Sequence, residues 1–117
     1  MTPNQRTVRK YMDAFGRSDR PEILSCLTGD VEWVIPGHVH LHGKEAFDGE
    51  IENPAFAGRP TIHVTRMVEE GDVVVAEGTV RCAMRDGGML NAVFCDVFVM
   101  RDALIRHLTS YVVPVPE

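Results

Sequence analysis

The chain has 117 residues, 44% of them hydrophobic and 25% charged. That is one domain's worth of chain with a sizeable core, and the composition excludes a disordered or membrane-embedded class. Twelve Lys and Arg against seventeen Asp and Glu leave a net charge of −5, which argues against nucleic acid as a partner because phosphate backbones are held by basic residues.

The first turns carry Arg6, Arg9, Lys10, Asp13, Arg17, Asp19 and Arg20, so no signal-peptide core fits between them. No stretch approaches the roughly 18–20 apolar residues of a membrane span. Three cysteines, Cys26, Cys82 and Cys95, are an odd number without C-x-x-C spacing. They suit reduced thiols in a cytoplasmic protein rather than a disulfide framework or zinc knuckle.

In chain order, Thr2-Pro3-Asn4-Gln5 is a capping box with proline at the first helical position. Val8, Tyr11, Met12 and Phe15 follow at helical spacing until Gly16. Asp19-Arg20-Pro21-Glu22 opens a second helix whose buried face is Ile23, Leu24 and Leu27. Residues 31–35 read as a strand ended by Pro36-Gly37, and 44–52 as a third helix carrying Ala46, Phe47 and Ile51, broken up by Pro54 and Gly58-Arg59-Pro60. From Thr61 four strands follow over 61–70, 73–85, 89–101 and 104–113, separated by Gly-Asp, Asp-Gly and Asp-Ala turns. Helices followed by an antiparallel meander predict an α+β domain over residues 1–117, with helices across a curved sheet that encloses a pocket.

The stretches Arg9–Phe15, Asp30–Gly37, His42–Phe47 and Cys95–Phe98, continuing through Asp102 and Ile105 to Tyr111, carry a family resemblance. Over nearly its whole length the chain resembles the SnoaL-like group of the nuclear-transport-factor-2-like superfamily, which also holds ketosteroid isomerase, limonene epoxide hydrolase and scytalone dehydratase. The resemblance implies a cone-shaped α+β barrel, with three N-terminal helices on a mostly antiparallel sheet, and a homodimer through the outer sheet face. It also implies cofactor-free acid/base chemistry on a hydrophobic small molecule bearing a carbonyl, of isomerase, dehydratase or cyclase type, or else a non-catalytic pocket for an apolar ligand. No metal or cofactor is expected.

Tyr11 and Asp96 fall on the two oxyanion-hole positions of ketosteroid isomerase. Its general-base position is Ile35 here, and an alkyl group accepts no proton. The limonene epoxide hydrolase pattern is also broken, with Ser110 in place of its aspartate and Gly78 and Val80 in place of its Arg-x-Asp pair.

Strand alternation adds to this independently. Ala92, Phe94, Asp96, Phe98 and Met100 share one face, so Asp96 is a carboxyl among apolar groups whose pKa desolvation raises. A structural Asp bonded to buried backbone is the other reading. A two-residue loop at Asp86-Gly87 puts Glu77 on the Asp96 face as an acid/base partner; a three-residue loop reverses it and leaves Glu77 to solvent or to Arg81.

His38, His40 and His42 alternate as on a strand, but they follow a Pro-Gly break and lack a nearby Cys or carboxylate, so no metal is assigned. His38 at the pocket mouth is the better candidate for a general base. Trp33, Phe94 and Phe98 are expected to hold the ligand's apolar body, with Ile35, Leu108 and Ser110 completing the lining. His63 and His107 are expected on the surface or in the dimer sheet, and Cys26 in the core.

Overall fold

The computed structural model describes residues 1–51 and 58–116. Helix α1 spans Pro3–Gly16; the Thr2 Oγ accepts from the Gln5 N–H, and the Gln5 side chain accepts from the Thr2 N–H. Its buried stripe is Val8, Tyr11, Met12 and Ala14. Gly16 closes the last turn rather than standing outside it, and Arg17 caps the helix. The second helix, α2 (Arg20–Ser25), has Asp19 as its N-cap. It ends earlier than its apolar spacing suggests, because Leu27 already begins strand β1 (Leu27–Ile35).

The β1 strand continues through a turn at Pro36-Gly37-His38 into a short strand β2 (Val39–His42), with Ile35 paired to Val39. Gly37, at φ 82°, supplies the left-handed conformation this turn requires. Helix α3 spans Lys44–Ile51 and buries Phe47 and Ile51, one turn apart. Its expected last residue, Glu52, and the expected break at Pro54 lie outside the described residues.

Strands β3 (Thr61–Glu70), β4 (Val73–Ala83), β5 (Met89–Arg101) and β6 (Leu104–Pro114) form the meander. The sheet order is β2-β1-β6-β5-β4-β3, antiparallel throughout except for the parallel β1–β6 pair. The sheet is curved but open at both edges, not closed as a barrel, and the helices cover its concave side. Between α1 and the sheet, Tyr11 packs on Phe15, Phe47 and Phe98 at centroid distances of 5.7, 6.2 and 5.6 Å. Trp33 stacks on Phe47 at 4.6 Å. This aromatic cluster fixes α1 and α3 against β1 and β5. Among the described residues no helix is long and apolar enough to cross a membrane.

Candidate functional site

One register decides the chemistry of the concave face. Ala83 pairs with Met89, so β4 and β5 are joined by the odd-numbered loop 84–88, and Ala76, not Glu77, lies opposite Asp96. Directly opposed residues share a face. Asp96 therefore points inward with Ala76, and Glu77 points outward with Cys95. There the Glu77 carboxylate takes the Arg66 guanidinium at 2.6 Å. Glu77 is thus not an acid/base partner of Asp96. His38 is likewise not at the site: it is exposed in the β1–β2 turn and absent from the cavity wall.

The concave face holds a cavity of about 130 Å³. Tyr11, Met12 and Phe15 of α1 form one wall; Trp33 and Ile35 of β1, with Ser110 and Val112 of β6, form another. Phe94 and Asp96 of β5 make the floor, and Val80 and Ile62 the far side. Trp33, Ile35, Phe94 and Ser110 line the cavity. Phe98 and Leu108 face the same way but are wholly buried in the core and do not reach the cavity. A wider vestibule continues from it past Phe15, Trp33 and Val112 toward Glu50 and Arg85.

The polar groups form a chain. Trp33 Nε1–H donates to Ser110 Oγ at 3.0 Å. Ser110 lies directly opposite Asp96, and its hydroxyl hydrogen-bonds the Asp96 carboxyl. Ser110 accepts from Trp33 with one of its two lone pairs and keeps its O–H proton to donate to the Asp96 carboxylate. Asp96 is only 8% exposed. Burial pushes its pKa up to about 7, outweighing the Ser110 hydrogen bond, which favours the carboxylate. Tyr11 is raised well above its ordinary value by burial, and further by the Asp96 charge and Cys26. The tyrosine therefore stays a hydrogen-bond donor, while the carboxyl is poised between its two forms near neutrality.

The wall residues missed by sequence reasoning are Met12, Phe15, Ile62, Val80 and Val112. Met12 and Phe15 carried a signal, since they share the α1 stripe with Tyr11. Val80 became assignable only once the loop parity was known. Val112 lies two residues beyond Ser110 on the same face of β6.

The fold agrees with the comparisons to known proteins. The SnoaL-like domain family matches residues 8–108. An NTF2-like protein of unknown function from Burkholderia pseudomallei superposes with a TM-score of 0.87 at 24% identity, covering 94% of this chain and 90% of that one. An epoxide hydrolase of the limonene-epoxide-hydrolase-like type from Mycobacterium tuberculosis gives 0.82 at 18%, covering 95% and 83%. TerC, co-crystallised with polyporic acid, gives 0.84 at 23%, covering 93% and 90%. No curated protein matches the sequence.

Proposed function

The chain belongs to the SnoaL-like family, and on that footing we propose that it catalyses proton transfer on a small hydrophobic molecule bearing a carbonyl group, with Asp96 as both base and acid. The supporting observation is the position of Asp96: a carboxyl with a pKa of about 7 in a mostly apolar cavity that Tyr11 and Ser110 also line. The ionised Asp96 takes a proton from the carbon next to the carbonyl. The electron pair moves onto the carbonyl oxygen, where Tyr11 donates a hydrogen bond to the developing enolate. Protonated Asp96 then returns the proton to the same carbon or, in a conjugated substrate, to a more distant one. The first outcome is exchange and the second isomerisation. No external reductant or oxidant is needed.

Proton exchange in heavy water tests this without knowledge of the natural substrate. Hydrophobic cyclic ketones that raise the melting temperature are selected, and loss of their α-proton signals is followed by NMR. The rate is expected to rise with pH through about 7 as Asp96 ionises, then level off. Asp96→Asn should lower it by roughly 10²–10⁴-fold, the range of a lost general base. Tyr11→Phe should lower it by roughly 10²–10³-fold, as for a lost oxyanion donor. Equal exchange in the parent and Asp96→Asn would remove Asp96 from the chemistry.

A second reading is a pocket that binds a carbonyl compound without turning it over. Ile35 favours it, since it lines the cavity where ketosteroid isomerase has its base, and no second carboxylate or imidazole lines the wall among the described residues. A ketone that binds but exchanges at the buffer rate would select this reading.

We also infer a homodimer through the outer sheet face, in keeping with the family resemblance. Val68 and Tyr111 are about half exposed there, at 52% and 51%, beside Val93 and Val113. Sedimentation equilibrium is expected to give twice the chain mass, and Val93→Lys to give the single chain. A parent protein that sediments as a single chain would contradict it.

A further inference from the structure

Two polar side chains of the cavity wall, Ser110 and Trp33, take no proton from the substrate and give it none. Asp96 of β5 and Ser110 of β6 are direct partners in the sheet register, so both side chains leave the sheet on the same face. Trp33 of β1 is in register with Leu108, and Ser110 lies two residues further along β6 on that face. From there the indole N–H donates to Ser110 Oγ at 3.0 Å. All three residues line the cavity and are nearly inaccessible, Ser110 at 4% and Trp33 and Asp96 at 8%. Polar groups buried this deeply rely on protein partners, so an indole, a hydroxyl and a carboxyl are committed to one another.

A carboxylate in an apolar cavity needs a countercharge or a hydrogen-bond donor. Among the described residues no lysine, arginine or histidine lines this cavity. The β4 residue opposite Asp96 is Ala76, and β3 contributes Ile62. From α1 comes Tyr11, the other titratable group of the wall, whose ionised form the Asp96 charge opposes. Cys95, which also feels the Asp96 charge, lies on the outer face of the sheet opposite Glu77. Against desolvation, the Ser110 hydroxyl is the group that favours the carboxylate.

On the footing that Asp96 is the base, we propose that Ser110 and Trp33 are its positioning residues: Ser110 holds Asp96 in the basic form by donating its hydroxyl, and Trp33 acts through Ser110. An indole N–H only donates, so at the Ser110 oxygen it takes a lone pair and does not compete for the hydroxyl proton. A hydrogen bond accepted by a hydroxyl also strengthens the one that the hydroxyl donates. Without Ser110, desolvation acts unopposed, and Asp96 keeps its proton at the pH where the parent protein has already released half of it.

The ¹³C titration midpoint of the Asp96 carboxyl in the ligand-free protein reads this directly. Ser110→Ala is expected to raise it from about 7 by about one to two pH units, the worth of a hydrogen bond to a charged group. Ser110→Thr keeps the hydroxyl and should titrate like the parent. Trp33→Phe keeps an aromatic ring beside Phe47 but loses the N–H, and should raise the midpoint by less than Ser110→Ala does. In the Ser110→Ala background the same change should add nothing, since Trp33 acts through the serine. Proton exchange in Ser110→Ala should fall about 5–50-fold at pH 7, in step with the lost carboxylate, and recover as pH passes the new midpoint. A purely structural lesion would depress the rate at every pH. An unchanged midpoint in Ser110→Ala, or a Trp33→Phe shift of equal size with and without the serine, would overturn the proposal. The midpoints need no substrate, so shifts of the expected size without exchange in any variant would count against the catalytic reading and uphold the hydrogen-bond chain.

Discussion

Asp96→Asn is expected to stabilise the protein, and by an amount that grows with pH. The folded-state pKa of Asp96 lies at about 7, above its ordinary value of 3.8. The favourable contribution of its protonated form is therefore fully present below about pH 4 and is lost as pH rises toward 7. Over that window the unfolded chain releases the proton while the folded chain holds it. A shift of about three pKa units corresponds to roughly 4 kcal/mol. Asparagine keeps the shape and hydrogen-bonding capacity but cannot ionise. Urea unfolding should show the variant and parent close together at pH 4, then diverging in the variant's favour up to about pH 7, by several kcal/mol. Parallel pH profiles would mean that Asp96 titrates as an ordinary exposed carboxylate.

The second large effect is expected at Gly78, where function and packing meet. A β-carbon there would stand 2.0 Å from the His63 carbonyl oxygen and 2.9 Å from Phe94 Cε2. The crowding arises next to a break in the β3–β4 register between Val64 and Arg66, and the nearer clash is with backbone, which cannot swing aside. Gly78→Ala is expected to cost about 3 kcal/mol or more, the upper range of overpacking, read from the urea midpoint with the slope unchanged. A midpoint indistinguishable from the parent's would refute the close approach. The same geometry bears on chemistry. Gly78 stands where the limonene epoxide hydrolase pattern carries arginine, and this backbone leaves no room for a long side chain. The departure from that pattern is built into the strand packing.

Much of this was legible in the sequence wherever a local rule acts alone. Thr2, Pro3 and Gln5 fix the start of α1 through backbone chemistry within one turn. The period of two along 91–100 places Asp96 among buried apolar groups whatever its neighbours do. Glu77 was different, because its face depends on the parity of the loop 84–88, a property of the whole hairpin that the Asp86-Gly87 pair does not determine. Strand β2 was hidden for a related reason: four residues with two polar histidines form an edge strand only because β1 is there to pair with. Leu27 has helical spacing to Ile23, yet pairing with Ile105 of β6 draws it into β1. In each case a nonlocal partner overrode the local pattern. The Trp33–Ser110–Asp96 chain likewise joins β1 to the distant β5–β6 hairpin. Ser110 could be placed in the pocket from the family pattern, but not its hydrogen bonds to both Trp33 and Asp96.

The central claim is that the cavity presents a carboxyl poised near neutrality to a bound carbonyl. It is tested most directly by ¹³C NMR titration of the Asp96 carboxyl carbon, free and saturated with a hydrophobic ketone selected by thermal shift. The free protein should titrate with a midpoint of about 7. The bound ketone should move the midpoint upward, because it displaces water from the cavity and desolvates the carboxylate further. A free midpoint in the ordinary carboxylate range near 4, or a midpoint that the bound ketone leaves in place, would contradict the account.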